Sequence, residues 1–140
     1  MKIIYVFGGS GFIGTHLSNF LVQTGFETIS LSLRKDIQDL HFNKDGVFIN
    51  LVGKAHDFSG TASKDDYYHA NLSLTKKAFD IFLRSKSKVF VQISSIAAVE
   101  EYESLKPLKE DDVCHPDTWY GKSKREAEKW LLEQKVPSDK

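Results

Sequence analysis

The sequence lacks several features that would assign a protein quickly to a class. Its 140 residues contain one cysteine, Cys114, so no disulfide can form within the chain. The longest apolar run, Ile3–Phe7, is far too short to cross a membrane. The first residues also lack the long apolar core and small-residue cleavage site of a signal peptide. We therefore expect a soluble protein in the reducing cytoplasm, with no membrane partner.

The sequence also lacks an excess of charge of either sign. The 19 basic residues balance 19 acidic ones, and the formal net charge is zero. Nucleic acids and anionic membranes usually require a clustered basic excess, so we expect no nucleic-acid partner. Any bound anion must be held locally. With 41% hydrophobic and 27% charged residues, the composition is that of one compact globular domain.

Short β-branched and aromatic runs alternate with segments of helical periodicity. The runs predict strands at 3–7, 28–33, 47–53 and 89–93, and the periodic segments predict helices at 12–24, 65–85 and 120–134. A short helix around 37–42 is predicted within the polar stretch 34–46. This alternation predicts an α/β fold with a doubly wound parallel sheet, in which right-handed crossovers place helices on both faces in three layers.

A glycine-rich turn lies between the first strand and the first helix. It spells G-x-G-x-x-G when read from Gly9 and G-x-x-G-x-x-G when read from Gly8. In that setting the glycines permit a tight turn, a close approach to a pyrophosphate and close packing of helix on strand. Helix N–H groups meet the diphosphate charge, so no basic side chain is needed. The candidate binding residues are Gly8, Gly9, Ser10, Gly11, Phe12, Ile13 and Gly14; the alternative is a turn that binds nothing.

Tyr120 and Lys124 lie four residues apart on a predicted helix, so their side chains share one face. A phenol is a poor base near neutral pH, but a nearby ammonium group favours its phenolate. Ser95 follows a predicted strand at the carboxyl edge of the sheet, where ligands bind. Its hydroxyl could polarise the oxygen on which Tyr120 acts, so we take Ser95, Tyr120 and Lys124 as candidate catalytic residues.

Plainer interpretations exist for each of these residues. A tyrosine and a lysine four apart occur on many charged helices, and Lys122, Lys124 and Arg125 could form a solvated face paired with Glu126 and Glu128. Ser94 and Ser95 could form an ordinary turn at the end of a strand.

Taken together, the motifs resemble those of the extended short-chain dehydrogenase/reductase superfamily, specifically its NAD-dependent epimerase/dehydratase group. The resemblance covers nearly the whole chain and implies a Rossmann-type NAD(P)-binding domain over residues 1–136, followed by a tail at 137–140. It also implies that Tyr120 is the acid/base, that Lys124 holds the nicotinamide ribose and that Ser95 assists the substrate oxygen. The matching segments are Gly8 to Gly14, Asn50 to Gly53, Asn71, Ile93 to Ala97, and Tyr120 to Lys124.

The same resemblance implies further cofactor contacts and a class of substrate. Leu51, Val52 and Gly53 would line the cofactor, and Asn71 would support the site. Residues 51–57 and 67–82 are similar to a branch found in bacterial surface-polysaccharide synthesis, which includes 4-epimerases and 4-keto reductases of UDP-sugars. A nucleotide-sugar is therefore the expected substrate. We interpret His56 and Asp57 as hydrogen-bonding or substrate-side residues, and we expect no metal.

The sequence departs from the family pattern in three places. Phe7 stands where threonine is frequent, and Val99 and Glu100 replace a frequent Tyr-Gly pair. The stretch 34–46 looks short for the usual helix and third strand, so we expect an abbreviated sheet edge. Family members continue beyond the tyrosine-lysine helix into a substrate domain. We therefore expect this chain to be the cofactor-binding part, without normal turnover.

The end of the second strand bears on the choice of cofactor. An acidic residue there would select NAD, whereas Ser32 is uncharged and Arg34 and Lys35 could pair with a 2′-phosphate. This favours NADP. The alternative is that Arg34 and Lys35 are solvated loop charges offset by Asp36.

The residues leave the reaction itself open. Epimerisation requires a retained cofactor and net reduction requires an exchanged one, and dehydration also occurs in the group. A non-catalytic dinucleotide-binding sensor or interaction module and an inactive fragment are the competing hypotheses. Family members commonly dimerise through helices matching 65–85 and 119–134, and an exposed Trp130 would be consistent with a homodimer.

Overall fold

The computed structural model describes residues 3–34, 42, 45–55, 57, 60–100, 104 and 106–137. Four strands and four helices form within them, together with one π-helical turn and one 3₁₀ turn. The strands are β1 (Ile3–Phe7), β2 (Glu27–Leu31), β3 (Gly46–Asn50) and β4 (Val89–Gln92); the helices are α1 (Phe12–Gln23), α2 (Lys64–Tyr68), α3 (Leu74–Leu83) and α4 (Trp119–Glu133); the π turn is His69–Ser73 and the 3₁₀ turn is Ile96–Ala98.

The described residues belong to two compact units. The first takes its residues from Met1–Val52, Leu74–Ile93 and Lys135–Lys140, and the second from Gly53–Ser73 and Ser94–Gln134. No helix among the described residues has the length and apolar character needed to cross a membrane.

The first unit is built on a parallel four-stranded sheet. The strand order is β2-β1-β3-β4, and every neighbouring pair is parallel. All five residues of β1 are buried, as expected for a strand with a neighbour on each side. Helix α1 packs against β1 and β2, and α3 packs against β3. The predicted α/β fold with a parallel sheet is confirmed.

Aromatic rings fill much of the core of the first unit. The fully buried Phe48 ring stacks on Tyr5, with centroids 4.6 Å apart, and also meets Phe7 at 5.8 Å and Phe82 at 5.9 Å. Such pairs add about 0.5–1.5 kcal/mol each beyond their buried area. Because Phe48 lies on β3 and Phe82 on α3, the cluster joins the sheet to a helix.

Several predicted boundaries were wrong. The third strand was predicted to reach Gly53, but β3 ends at Asn50, whose side-chain Oδ1 accepts a hydrogen bond from the Val52 amide at 3.1 Å. This local bond turns the chain out of the strand. The prediction for 65–85 missed the π turn that interrupts the helix and the end of α3 at Leu83. Strands β2 and β4 also end earlier than predicted, and the predicted helix at 37–42 lies almost entirely outside the described residues.

The second unit is organised around α4. Thr118 caps this helix, its hydroxyl accepting from the Gly121 amide at 3.2 Å. A reciprocal capping box starts α2, because Ser63 and Asp66 each accept from the other's backbone amide. Helix α4 packs against α2, the π turn and the 3₁₀ turn.

A buried amide fixes the end of β3 in the first unit. Asn50 has no exposed surface, and its Nδ2 donates to Thr75 Oγ1 at 3.1 Å and to Gln92 Oε1 at 2.8 Å. Since its Oδ1 also accepts from Val52, one side chain connects β3 with α3 and β4. A fully satisfied buried network of this kind is costly to break.

We expect Asn50→Ala to lower the free energy of unfolding by about 2–4 kcal/mol, because the buried Thr75 and the half-buried Gln92 and Val52 lose their hydrogen bonds. Urea denaturation measures the change, with the exposed Asn19→Ala as the matched control, expected to stay within about 0.5 kcal/mol. Equal losses in the two variants would contradict the network.

Candidate functional site

The glycine turn joins β1 to α1 in the first unit. Gly8 has φ +82°, a conformation that favours glycine, and its carbonyl accepts from the Gly11 amide at 3.0 Å. Gly11 is the N-cap of α1, and its carbonyl accepts from the Thr15 amide and hydroxyl, each at 2.9 Å. The turn therefore ends directly at the first helical residue, Phe12.

The glycines differ in what their missing side chains permit. A Cβ on Gly14 would overlap the Gly8 carbonyl oxygen and lie 2.7 Å from Gly9 Cα, so helix and turn touch backbone to backbone. A Cβ on Gly9 would collide with the Ser30 side chain on β2, and one on Gly8 would approach the Leu51 and Val52 backbones at 3.1 Å. Backbone packing therefore requires a glycine at Gly14, whereas a side chain at Gly9 would displace Ser30 and one at Gly8 would be strained by the positive φ.

Gly11 is different, because its missing Cβ faces little of the protein. The nearest atom would be the Gly8 carbonyl oxygen at 3.3 Å. No side chain caps α1, and its first turn contains no acidic residue. Phe12 and Ile13 are exposed, as is Ser10. First-turn N–H groups with neither a side-chain cap nor a competing carboxylate are suited to an anion such as a diphosphate.

Alanine substitutions at Gly14 and Gly11 should distinguish the glycine that packing requires from the glycine that faces open space. We expect Gly14→Ala to lower the free energy of unfolding by at least about 2 kcal/mol, because backbone atoms cannot yield to the new Cβ. Gly11→Ala should cost at most about 1 kcal/mol. Thermal or urea unfolding of both variants tests this difference, and a larger loss in Gly11→Ala would refute it.

The end of β2 carries the residues assigned to cofactor choice. Ser32 and Arg34 are both exposed, and Ser32 Oγ accepts from the Arg34 amide at 3.4 Å. Lys77 of α3, which the sequence analysis missed, donates from Nζ to the Leu33 carbonyl at 3.1 Å. Two cationic side chains therefore belong to this turn. Lys35 and Asp36 lie outside the described residues.

The segment after β3 is held by backbone hydrogen bonds. The Leu51 amide donates to the Phe7 carbonyl at 3.0 Å, and Val52 is held by Asn50. Leu51 and Val52 are half-buried. Gly53, in the second unit, is exposed, and a Cβ there would lie 2.7 Å from Asn71 Oδ1. His56 lies outside the described residues. Asp57 lies in a loop of which only part is described.

Asn71 lies buried in the π turn of the second unit. Its Oδ1 accepts from the Lys54 amide at 2.8 Å, and its Nδ2 donates to the Lys54 carbonyl at 3.0 Å and to Ser123 Oγ at 2.9 Å. Ser123 Oγ in turn donates to the Tyr120 carbonyl at 2.8 Å. The predicted supporting residue is therefore linked to the first turn of α4. Single π turns occur frequently at functional sites.

Gly121 brings the start of α4 against the 3₁₀ turn. A Cβ on this glycine would overlap the Ala97 carbonyl oxygen and lie 3.0 Å from the Ala97 carbonyl carbon and 3.1 Å from Pro116 Cβ. Ser95 is the N-cap of the 3₁₀ turn, and Tyr120 directly precedes Gly121. Ser95 and Tyr120 therefore belong to segments that meet in this unit.

We expect Gly121→Ala to destabilise the protein by about 2 kcal/mol, because the new Cβ meets a backbone carbonyl. In an unconstrained helix the same change would stabilise by about 1 kcal/mol, so the sign of the effect is diagnostic. Urea denaturation measures it, with the exposed Glu133→Ala as a control for helix propensity. A stabilised Gly121→Ala would contradict the close approach.

The hydroxyls of Ser94 and Ser95 have different partners. Ser95 Oγ accepts from the Ala97 amide at 3.3 Å, which is the turn geometry of the plainer interpretation, and its hydroxyl hydrogen remains a donor. Ser94 Oγ donates to Glu128 Oε1 of α4. The strand-end turn and the candidate catalytic role of Ser95 are therefore compatible.

Lys124 is buried, with 6% of its surface exposed. Burial lowers the pKa of its ammonium below the usual value, and the negative charge of Glu128 partly opposes that shift. The interpretation of Lys124 as one of several solvated charges is therefore wrong. Only its neighbours fit that description in part, since Arg125 pairs with Glu128 at 2.9 Å and Lys129 with Glu126 at 3.4 Å.

Ser123 and Glu128 also belong to this cluster, although no motif in the sequence marks them. Ser123 has no exposed surface although it lies in a strongly charged helix. Serine has a low helix propensity, so its presence directly before Lys124 in a charged helix was the one sign in the sequence that Ser123 is buried for a specific contact. Trp130, whose exposure would have been consistent with a homodimer, is half-buried, whereas Trp119 and Leu132 of the same helix are exposed.

The sheet, the glycine turn and the helices define a Rossmann-like α/β protein. The model of the NAD dependent epimerase/dehydratase family matches residues 4–135, and the chain belongs to that family. The resemblance inferred from the motifs is thereby confirmed.

Two curated relatives have different substrates in their names. The chain is 26% identical over 159 residues to the sterol-4-alpha-carboxylate 3-dehydrogenase, decarboxylating, of Dictyostelium discoideum, covering 94% of this chain and 48% of that protein. It is 28% identical over 141 residues to the dTDP-4-dehydrorhamnose reductase of Aggregatibacter actinomycetemcomitans, covering 94% and 47%. The chain thus spans about half the length of these relatives.

Solved structures share the fold at low sequence identity. MoeE5 in complex with UDP-glucuronic acid and NAD superposes with a TM-score of 0.80 at 20% identity, covering 99% of this chain and 51% of that one. RMD from Pseudomonas aeruginosa complexed with NADPH has a TM-score of 0.76 at 23% identity, covering 95% and 49%. Of these two proteins, MoeE5 is bound to NAD and RMD to NADPH.

Proposed function

We propose that this chain is the cofactor-binding part of an NAD(P)-dependent oxidoreductase or epimerase that acts on a nucleotide-linked sugar. The observation that carries the proposal is the first turn of α1, which is uncapped and follows a glycine turn in a chain of this family. The dTDP-sugar named for one relative and the UDP-sugar bound in a structural neighbour support the class of substrate.

The proposed chemistry has a cofactor-binding part and a proton-transfer part. In the first unit, N–H groups at the start of α1 bind the diphosphate, while Gly11 leaves room for its approach. In the second unit, Tyr120 moves the proton on the substrate oxygen, Ser95 donates a hydrogen bond to that oxygen, and Lys124 binds the nicotinamide ribose. The bound nicotinamide supplies hydride transfer.

We propose NADP as the preferred cofactor. Ser32 is exposed and uncharged where an acidic residue would select NAD, so this position itself does not repel a 2′-phosphate. Arg34 supplies a planar cation suited to phosphate, and Lys77 adds a second positive charge at the same turn.

The sterol dehydrogenase relative favours a second candidate, a dehydrogenase acting on a lipid alcohol. The proposed roles of Tyr120, Lys124 and Ser95 are the same for either substrate. We favour the nucleotide-sugar because the 28% identical relative and the UDP-sugar complexes agree on it. A homodimer through α2, α3 and α4 and a cytoplasmic location remain predictions from the sequence.

Calorimetric titration of the 140-residue chain with NADP and NAD tests the cofactor site. We expect saturable binding by the wild-type chain and none by Gly11→Asp. A carboxylate at the N-terminus of α1 would occupy the position of the diphosphate and repel its charge. Asn19→Asp introduces the same charge at an exposed position later in α1 and should bind normally.

Arg34→Ala provides the test of cofactor preference in the same titration. NADP affinity should fall about tenfold or more while NAD affinity stays constant, since a charge-assisted contact is lost only with the 2′-phosphate. Arg84→Ala, at an exposed arginine of the same unit, is the control. Absence of binding by the wild-type chain would reject the proposed function for this chain.

A further inference from the structure

The carboxylate of Glu128 contacts two side chains and interacts electrostatically with a third. Oε1 accepts from Ser94 Oγ, and Oε2 accepts from Arg125 Nη1 at 2.9 Å. Its charge also acts on Lys124, one helical turn earlier on the same face of α4. Ser95, Tyr120 and Lys124 form what we call the candidate proton-transfer cluster. Because Ser94 directly precedes Ser95, Glu128 links the segment that carries Ser95 to the helix that carries Tyr120 and Lys124.

We propose that Glu128 is a positioning residue for this cluster, fixing the Ser94–Ser95 segment against α4 and supplying the negative charge that balances the buried Lys124. The inference rests on the proposed function, since Ser95 and Lys124 are placed in the site there. Glu128 itself touches no reacting atom in this assignment.

Burial makes the balance of charge necessary. An ammonium with 6% of its surface exposed loses most of its hydration, which disfavours its charged form. Glu128 is only one-quarter exposed, so water screens its charge incompletely. The contacts with Ser94 and Arg125 hold the carboxylate in one position, which makes its effect on Lys124 specific.

Other ionisable groups lie on the elements that pack against α4. These are Lys64, Asp65, Asp66, Tyr67 and Tyr68 of α2, and His69 of the π turn. The negative charge of Glu128 opposes the effect of burial on the pKa of Lys124. Its removal should therefore lower that pKa further.

The pKa of Lys124 can be measured directly by NMR on the 140-residue chain, using lysine labelled with ¹³C at Cε. The Lys124 signal is assigned by its absence in Lys124→Met. We expect Glu128→Gln to lower this pKa further, because the ammonium loses its compensating charge. Glu126→Gln removes the same charge from an exposed position of α4 and should leave the pKa unchanged.

Two further variants separate charge from hydrogen bonding. Ser94→Ala keeps the carboxylate and its contact with Arg125, and should change the pKa of Lys124 less than Glu128→Gln does. Glu128→Asp withdraws the carboxylate by one methylene and should give a smaller fall than Glu128→Gln, which keeps the test valid if the glutamine variant does not fold. Equal pKa values in wild type, Glu128→Asp and Glu128→Gln would overturn the proposal, as would equal shifts from Glu126→Gln and Glu128→Gln.

Dinucleotide titration gives a second readout. Glu128→Gln should weaken binding about three- to tenfold through misplaced Lys124, while Glu126→Gln binds as wild type. Unchanged affinity in Glu128→Gln would contradict the positioning role. A wild-type chain that binds no dinucleotide would reject the proposed function, whereas the pKa comparison would still decide the charge balance.

Discussion

Both units depend on backbone contacts that leave no room for a Cβ atom. In the first unit Gly14 presses the start of α1 against Gly8 and Gly9, and in the second Gly121 presses the start of α4 against Ala97. Each contact brings the N-terminal end of a helix onto the turn that follows a strand. The positions of the first-turn amides of α1 and of Tyr120 follow from these two approaches.

Buried polar side chains then fix what the glycines bring together. Asn50 ties the end of β3 to α3 and β4, and Asn71 ties Lys54 to Ser123 of α4. Both amides have no exposed surface, and each uses its donor and its acceptor atoms. Because an unsatisfied buried amide is costly, these bonds favour one arrangement of the chain over nearby alternatives.

Local patterns predicted most of the framework, and contacts distant in sequence account for the errors. The apolar run at Ile3–Phe7, stopped by glycine, located β1 to the residue because every position is buried. The end of β3 was missed because the Asn50 side chain that accepts from Val52 is itself held by residues 25 and 42 positions away. The glycine turn and the Tyr120 helix were found as motifs. Ser123 and Glu128 were not predicted as site residues because their partners lie 52 and 34 residues away in the sequence.

The π turn at His69–Ser73 makes the position of Asn71 sensitive to the length of the chain before it. A π turn holds one residue more than the α-helix it interrupts, and a single residue rotates a helix by about 100°. Deleting His69 or Ala70 would therefore rotate Asn71 by about 100° relative to α2. Its amide would then turn away from Lys54 and Ser123, the two residues that it bonds within the second unit.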